Sequence, residues 1–494
     1  MNSHVTTRPG AYADSVRLLQ VSRTVQSVPG VATAQVAMAT PLNVEVLEGM
    51  GFVLPDGAGP NDMVVAIRLE DGADDDTLQA ALAAVDEALA ARAESGPSEE
   101  AAPRTTGAAL RRAIGTPSAS GALVLVSVPG ASALAEAMDA LDADHDVMIF
   151  SDNVPLDQEV ALKRTATERG LLVMGPDCGT AVVGGVGLGF ANATSPGPVG
   201  IVAASGTGCQ QLLCLLDHAG VGVGSALGVG GRDLSAEVRG ASTREALRRL
   251  DQDPSVELVV MVSKPPAAEV AAELREYAAG LDTPVEFALL GPGQPDLTAA
   301  AEAVLRRLGR DVPDWPVQGA ATPSGGRLLR GLFVGGTLCD ESMLIATEEL
   351  GPIRSNIPLT AELALDHDLD AALATDAHTM VDFGDDALTA GRAHPMIDPT
   401  LRLEQLARAA DDPRTGVILI DVVLGHGAEP DPAAALAPVI AAARPPVVAC
   451  VVGTAADPQD RRRQVALLTD AGAEVHLSNA AATRRAVELV GGSR

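Results

Sequence analysis

Two short stretches of this chain combine glycine with hydroxyl side chains directly after an apolar run. Ser205-Gly206-Thr207 follows VGIVAA, and Gly335-Gly336-Thr337 follows LLRGLFV. Because each run predicts a buried strand and the next residues predict a helix, both turns lie at predicted helix N-termini. Unpaired N–H groups and the positive end of the helix dipole there favour a phosphate, a carboxylate or an acyl phosphate. An ordinary serine or threonine N-cap is the alternative, but the duplication favours a pair of phosphate-binding turns.

One histidine lies in a loop bounded by glycine and proline and has several charged residues near it in the sequence. The loop GRAHPMIDP (391–399) contains Arg392, His394 and Asp398, and further aspartates precede it. Carboxylates near a histidine raise its basicity, and an arginine can grip a carboxylate or phosphate with two hydrogen bonds. We predict that His394 and Arg392 are catalytic and that Asp398 contacts the substrate; a rigid surface turn is the alternative. The acidic pair in GDD is weak evidence for Mg²⁺, and no metal site is predicted.

Residues at the carboxyl ends of predicted strands are the remaining candidates. Lys264 ends a strand at SKPP, Asp177-Cys178-Gly179 follows the strand LLVM, and His426 stands in the second half of the chain where Lys264 stands in the first. Parallel sheets bind ligands at this edge. We therefore predict that Lys264 is catalytic and that Asp177-Cys178-Gly179 contacts the substrate. A solvated lysine at a strand end is the alternative.

Two cysteines occupy equivalent places near the predicted helix starts. Cys209 and Cys339 each lie two residues after the threonine of their turn. A thiol near a helix N-terminus has a lowered pKa and could be a nucleophile. We favour the simpler interpretation, a small buried residue that packs the turn, and the same holds for Cys178.

The composition excludes several classes of function. The 494 residues carry a formal net charge of −30, so nucleic acid and anionic membranes are poor partners. Only two lysines occur, and neither lies in a P-loop motif. Five spaced cysteines without a C-x-x-C pair, and an N-terminus without a secretory signal pattern, predict a reduced cytoplasmic protein without structural zinc. The apolar runs are too short to span a membrane.

Strands and helices alternate along most of the chain, which predicts an α/β fold. Uninterrupted apolar strands such as GALVLVSV are typical of parallel sheets covered by helices on both faces. A small α/β unit precedes them, and a linker rich in proline, glycine and glutamate follows it. The second half contains an internal repeat whose copies begin at 197 and 327, and the second copy carries GRAHPMIDP in an additional segment.

Several motifs resemble known families. GPDCG, GPVGIVAASGT, DPRTGVILI and PVVACVVGT resemble the α subunit of succinyl-CoA synthetase and the ADP-forming acyl-CoA synthetases. GPDCGTA, VSKPP and GDDALTAGRAHPMIDP, with the N-terminal unit, are more similar to the FdrA family, so the whole chain is covered. The resemblance implies a CoA-binding-like Rossmann domain and two tandem flavodoxin-like, succinyl-CoA synthetase-like domains. The predicted boundaries are 1–95 for the small domain, 96–120 for a linker, 121–196 for the Rossmann domain, 197–312 for the first repeat, 313–326 for a linker and 327–494 for the second repeat.

The same resemblance implies a function. In the synthetases, the turn that matches Ser205-Gly206-Thr207 points at a phosphohistidine in a G-H-A-G-A motif, whereas the corresponding stretch here, AADPQDRRRQVALLTDAG, has no histidine. Members of the FdrA family are associated with oxamate carbamoyltransferase in purine and allantoin breakdown. Carbamoyl phosphate is already activated, so that reaction needs neither ATP nor phosphohistidine. We expect a cytoplasmic subunit of a hetero-oligomeric complex that transfers a carbamoyl or acyl group between small anionic substrates, without a certain cofactor.

Two other functions stay open. The first is an ADP-forming acyl-CoA synthetase subunit that uses CoA and ATP/Mg²⁺ with a partner; His394 or His426 would then be the displaced phosphate carrier. The second is a non-catalytic scaffold or metabolite sensor that has kept an anion site.

Overall fold

The protein consists of two compact units. The computed structural model describes residues 3–11, 13, 15–55, 58–59, 62–70, 72–90, 105–113, 122–365, 369, 375–389 and 393–491. One unit comprises residues 1–104 with 390–393, and the other comprises residues 105–389 with 394–494. Of the predicted site residues, Arg392 lies outside the described part of the chain.

The N-terminal unit is a three-stranded antiparallel sheet with helices on both faces. Its elements are β1 (Ser3–Arg8), α1 (Ser15–Gln26), β2 (Val31–Met38), α2 (Pro41–Gly49), β3 (Met63–Leu69) and α3 (Asp75–Ala90). The order of strands is β1-β3-β2. Side chains of the central strand alternate between the faces: Val65 and Ile67 pack with α1 and α3, while Val64 packs with Leu47 and Phe52.

The second unit begins with a small parallel sheet. Its elements are α4 (Thr106–Ala113), β4 (Leu123–Val126), α5 (Gly130–Asp142), β5 (Asp146–Ile149), α6 (Leu156–Arg169) and β6 (Val173–Met174), with strand order β4-β5-β6. Helix α4 lies inside the segment predicted as a linker. It forms because Leu110 is buried and Thr106 donates a hydrogen bond to Glu136 of α5.

The first repeat forms a six-stranded sheet. Its elements are β7 (Thr180–Val183), β8 (Val186–Gly189), β9 (Val199–Ala204), α7 (Gly206–His218), β10 (Val223–Gly228), α8 (Ala241–Asp251), β11 (Leu258–Ser263), α9 (Ala268–Ala278), β12 (Val285–Leu289) and α10 (Leu297–Arg307). The strand order is β12-β11-β9-β10-β7-β8, parallel except for the β7–β8 hairpin. This hairpin extends the sheet of the first repeat, although it precedes residue 197 in the chain.

The second repeat forms a seven-stranded sheet. Its elements are β13 (Val317–Gln318), β14 (Leu328–Phe333), α11 (Gly336–Leu350), β15 (Arg354–Ser355), a 3₁₀ turn (Ala361–Leu363), β16 (Thr379–Asp382), α12 (Asp386–Thr389), α13 (Thr400–Asp411), β17 (Thr415–Val423), α14 (Pro432–Ala442), β18 (Val447–Val452), α15 (Arg461–Asp470), β19 (Glu474–His476) and α16 (Asn479–Gly491). The order is β13-β19-β18-β17-β14-β16-β15, and within the described strands of this sheet β13 alone is antiparallel to its neighbour. The predicted linker 313–326 thus contributes an edge strand.

These observations confirm the predicted fold class, a mixed α/β protein with a small N-terminal domain and parallel sheets. The two repeats share one buried core, in which Leu212 and Leu213 of α7 belong to the same cluster as Leu338 and Met343 of α11. No helix among the described residues is both long enough and apolar enough to cross a membrane.

A buried carboxylate joins the two repeats. Asp457 accepts hydrogen bonds from the Ala193 N–H at 2.7 Å, from Asn192 Nδ2 at 2.8 Å and from the Thr454 N–H at 2.7 Å. Asp457 is only 4% exposed, so water cannot serve as the acceptor for these donors if the carboxylate is removed. The segment that leads into β9 is therefore held on the sheet of the second repeat.

We predict that Asp457→Ala lowers the free energy of unfolding by about 3 kcal/mol, because it leaves buried donors without an acceptor. Chemical denaturation followed by circular dichroism measures this. The exposed Asp282 is the matched control, and Asp282→Ala should change the value by less than about 0.5 kcal/mol. Equal stability of the two variants would contradict this role of Asp457.

Candidate functional site

The two glycine turns meet in the folded protein. Ser205 is the N-cap of α7 and Gly335 is the N-cap of α11. The Ser205 and Thr337 hydroxyls lie 2.7 Å apart, so they share a hydrogen bond. On the other side, a Cβ on Gly335 would lie 2.8 Å from the Thr207 hydroxyl oxygen. The sequence predicted two turns, and the structure brings them together into one site.

Only one of the two helix starts is capped by a side chain. The Ser205 hydroxyl accepts the Gly208 N–H at 2.9 Å, which closes the first turn of α7. Gly335 has no side chain that could do the same for α11. In the described part of the chain, the N–H groups of residues 336–338 have no hydrogen-bond acceptor. The first turn of α11 is therefore the open end, and it suits an anion.

A buried aspartate anchors the turn that precedes α11. Asp421, in the middle of β17, accepts the N–H groups of Val334 at 2.8 Å and Gly335 at 2.9 Å. Arg402 lies behind it, with Nη1 3.6 Å from the Asp421 carboxylate. This pair fixes the turn before α11 without covering its first N–H groups. Asp421 was not among the residues predicted for the site, although a single acid inside the apolar run GVILIDVVL is a usable signal.

Lys264 lies at the open helix start. A Cβ on Gly336 would be 3.1 Å from Lys264 Nζ. The side chain is partly exposed, and among the described residues it makes neither a hydrogen bond nor an ion pair within 4.0 Å. Burial lowers the pKa of Lys264, but the surrounding carboxylates, chiefly Asp340 and Asp382, outweigh this and raise it. Lys264 is therefore a charged, unpaired cation at this site.

Two acids next to Lys264 titrate near neutral pH. Asp382 is 4% exposed; its Oδ1 accepts the Gly384 N–H at 2.9 Å, and its Oδ2 would be 2.6 Å from a Cβ on Gly336. Burial raises the pKa of Asp382 to about 7, and Lys264 opposes the shift. Burial likewise raises the pKa of Asp340 to about 6. Neither acid was singled out for this role from the sequence, because only the folded helix and strand place them beside Lys264.

Asp177 contributes to the charge around Lys264 from the small parallel sheet. Its backbone is left-handed, with φ of 55°, and the residue is exposed. Desolvation by the surrounding protein atoms raises the pKa of Asp177 to about 6, and the nearby Lys264 opposes the shift. Gly179 has a different role, since its carbonyl accepts the Phe190 N–H at 2.7 Å.

The cysteines near the two turns are buried thiols with raised pKa values. Cys178 is buried, its thiol donates to the Thr180 carbonyl at 3.6 Å, and burial raises its pKa to about 12. Burial also raises the pKa of Cys209 and Cys339 well above the usual value. The packing interpretation is thus supported for all three thiols. The predicted substrate contact of Cys178 is not supported, because its sulfur is sealed from solvent.

His394 lies beside the same acids, but its surroundings differ from the prediction. Its Nε2 would be 2.7 Å from a Cβ on Gly384, the residue that donates to Asp382. Burial lowers the pKa of His394 to about 4. The expectation that neighbouring carboxylates raise its basicity is therefore wrong. Asp398 is exposed, and its carboxylate accepts the N–H and hydroxyl of Thr400, the first residue of α13, rather than a hydrogen bond from the histidine.

The matching edge of the second repeat is covered by the chain itself. The His426 N–H donates to the Ala191 carbonyl at 2.9 Å, and Asn192 Nδ2 donates to the Leu424 carbonyl at 2.9 Å. The His426 side chain is exposed. The pseudo-equivalence of Lys264 and His426 in sequence does not extend to the environment of their side chains.

Two regions of the chain match models of known protein families. Residues 1–105 match the model described as AllF, heavy metal-associated domain, and residues 332–489 match the model described as CoA-ligase. The first region contains no cysteine and one histidine, so the thiolates that soft metals prefer are absent from it. The described residues also hold no group of three or more potential metal ligands.

Relatives of known sequence support the similarity to CoA ligases. The uncharacterized protein YahF of Escherichia coli (strain K12) is 38% identical over 96% of this chain and 95% of its own length. A succinate–CoA ligase [ADP-forming] subunit alpha of Archaeoglobus fulgidus is 30% identical over 32% of this chain and 59% of its own length, so the chain spans less than two thirds of that relative. Among solved structures, acetyl-coenzyme A synthetase 1 of Ca. Korarchaeum cryptofilum, in complex with phosphate and ADP, is 16% identical and covers 75% of this chain and 84% of its own, with a TM-score of 0.29. The sequence resemblance to succinyl-CoA synthetases is confirmed, whereas membership of the FdrA family stays a prediction.

We predict that Gly336→Ala weakens the binding of sulfate about tenfold, or ~1.4 kcal/mol. The added methyl group would enter the space between Lys264 and Asp382. Isothermal titration calorimetry measures the affinity, and Gly49→Ala is the control because a Cβ there meets no atom within 4 Å. Unchanged sulfate affinity in folded Gly336→Ala would rule out this anion site.

We also predict that sulfate binding weakens as the pH rises from 6 to 8. Sulfate keeps its charge over this range, whereas Asp382, with a pKa of about 7, loses a proton and repels the anion. In Asp382→Asn, which keeps an acceptor for the Gly384 N–H, the dependence should flatten. Calorimetric titrations at four pH values test this, and parallel slopes for the two proteins would contradict it.

Proposed function

Since the chain belongs to the family of the Escherichia coli protein YahF, we propose that it is an enzyme subunit that transfers an acyl-type group to or from phosphate. The group would be carried as an acyl phosphate at the first turn of α11. The observation that carries the proposal is the open helix start next to Lys264, which has no ion pair within 4.0 Å and no hydrogen bond among the described residues. Free N–H groups and a nearby ammonium are the features that bind phosphoryl oxygens.

The acids at the site favour a carbamoyl group over a simple acyl group. Asp340 and Asp382 are buried beside an anion site, and a second negative charge there is costly unless the ligand also brings hydrogen-bond donors. The amino group of carbamoyl phosphate supplies such donors, whereas the methyl group of an acetyl phosphate does not. Carbamoyl phosphate is therefore the substrate that best suits both the anion site, through its phosphate, and the buried acids, through its amino group.

The proposed reaction joins carbamoyl phosphate and oxamate. The oxamate nitrogen attacks the carbamoyl carbon, the bond between that carbon and the phosphate oxygen breaks, and its electrons leave with phosphate. The attacking nitrogen loses a proton to an ionised carboxylate at the site, for which Asp382 is suited by its pKa of about 7. The products are oxalurate and phosphate. Orientation and the N–H groups of α11 lower the barrier, so neither ATP nor a phosphorylated side chain is required.

A CoA ligase is the second candidate, favoured by the CoA-ligase match over residues 332–489. CoA supplies the thiol that accepts the acyl group. Its phosphates would fit the start of α5, where Pro129 provides no side-chain cap for the first turn. This function needs ATP and a phosphorylated histidine as well as CoA, and these requirements separate it from carbamoyl transfer.

We predict oxamate-dependent release of phosphate from carbamoyl phosphate by the chain co-expressed with its genomic neighbours. Lys264→Met should lower kcat/KM about 100-fold, because it removes a cation aimed at the leaving group. The exposed Arg310→Met is the matched control and should keep full activity.

A parallel reaction with ATP, Mg²⁺, CoA and a panel of carboxylates tests the second candidate. Phosphate release that requires CoA and ATP, with none from carbamoyl phosphate, would overturn the transferase and establish the ligase. Full activity of Lys264→Met would separate the reaction from this site.

A further inference from the structure

The His394 ring is held in one orientation by its own loop. Its Nδ1 accepts the backbone N–H of Met396 at 3.2 Å. The His394 carbonyl accepts the N–H groups of Ile397 at 2.8 Å and Asp398 at 3.0 Å, which makes the loop a tight turn. Phe190 lies against the ring, with centroids 5.8 Å apart. These contacts leave the imidazole little freedom to rotate.

This orientation determines which ring nitrogen carries the proton. An N–H that donates to Nδ1 requires a lone pair on that nitrogen. The neutral ring therefore carries its proton on Nε2. Burial, which lowers the pKa of His394 to about 4, keeps the ring neutral at physiological pH.

The Nε2–H group lies near the reacting groups. A Cβ atom on Gly384 would lie 2.7 Å from His394 Nε2 and 3.2 Å from Asp382 Oδ1, so both atoms border the same small space. In the described part of the chain, Nε2 has no hydrogen-bond partner. A free donor thus borders the same space as Asp382, whose other carboxylate oxygen lies close to Gly336 at the start of α11.

We infer that His394 is a neutral hydrogen-bond donor, through Nε2, to the oxygen that gains charge when an acyl phosphate is attacked, and that it does not carry a phosphoryl group. The inference rests on the proposed function for its substrate. A phosphoryl acceptor needs a free lone pair on Nε2, and this tautomer has a proton there. A neutral imidazole stabilises a developing oxyanion without repelling a cation such as Lys264.

The tautomer can be measured without any assay of activity. In the full chain labelled with ¹⁵N-histidine, long-range ¹H–¹⁵N spectra should show an unprotonated Nδ1 and a protonated Nε2 for His394 from pH 5.5 to 8. His394→Gln assigns the signals by their disappearance. A protonated Nδ1, or a ring that becomes cationic within this range, would overturn the inference.

The contact with substrate is tested with phosphonoacetamide, a stable analogue of carbamoyl phosphate. At a concentration that calorimetry shows to be saturating, the Nε2 resonance should shift while that of Nδ1 stays. An unmoved Nε2 resonance in the saturated protein would refute the donor role. Failure of the analogue to bind would instead refute the proposed function, while the tautomer measurement would still decide the state of the ring.

Variants separate a donor from a phosphate carrier. In the co-expressed complex, His394→Gln keeps an N–H near the Nε2 position and should retain kcat within about threefold, whereas His394→Leu should lose about 30-fold. Mass spectrometry after incubation with ATP/Mg²⁺ or carbamoyl phosphate should find no phosphate on His394. Phosphohistidine at this residue, or equal activity of the two variants, would contradict the inference.

Discussion

The contact between the two glycine turns is the constraint on which the candidate site depends. Ser205 and Thr337 share a hydrogen bond of 2.7 Å, although 132 residues separate them. The approach is so close that only glycine fits at position 335, against Thr207. A helix start in isolation is a common and weak anion site. Here two helix starts meet above a shared buried core, and the contact places the start of α11 against Thr207 and Lys264 of the first repeat and Asp382 of the second.

The duplicated parts have taken on different roles. In the first repeat Ser205 closes its own helix, whereas in the second repeat Asp421 anchors the turn from the neighbouring strand and leaves α11 open. The corresponding position in the first repeat is Val262, which lies opposite Ala203, two residues before Ser205. A capped turn supports the site, and an uncapped turn supplies its free N–H groups.

Burial and the neighbouring charges together set the protonation states of the groups at the site. Lys264 stays protonated because carboxylates surround it, and Asp382 holds its proton to about pH 7 because it is buried. Because Lys264 is charged and Asp382 can be neutral, both side chains can lie beside a helix start proposed to bind an anion. The same burial makes His394 neutral, so the described part of the site contains the cation Lys264, the two acids Asp382 and Asp340, which titrate near neutral pH, and one neutral donor.

Much of the fold follows from local sequence, and most of the site does not. The apolar runs before Ser205 and Gly335 predict β9 and β14, and the two turns predict the starts of α7 and α11. The β7–β8 hairpin was missed because its strands have four residues each and its turn is glycine-rich. The environment of His394 was misjudged, because the backbone N–H of Met396, rather than a carboxylate, faces its Nδ1. Such contacts depend on tertiary structure, which pattern and spacing do not contain.

The most direct measurement is a crystal structure of the protein soaked with arsenate, a phosphate analogue whose arsenic atom is located by anomalous scattering. We predict one strong arsenic peak within hydrogen-bond distance of the N–H groups of residues 336–338 and of Lys264 Nζ. Loss of this peak in Lys264→Met crystals would agree with that placement. Arsenate bound only elsewhere, for instance at the start of α5, with the start of α11 free of it, would contradict the assignment of the anion site to α11.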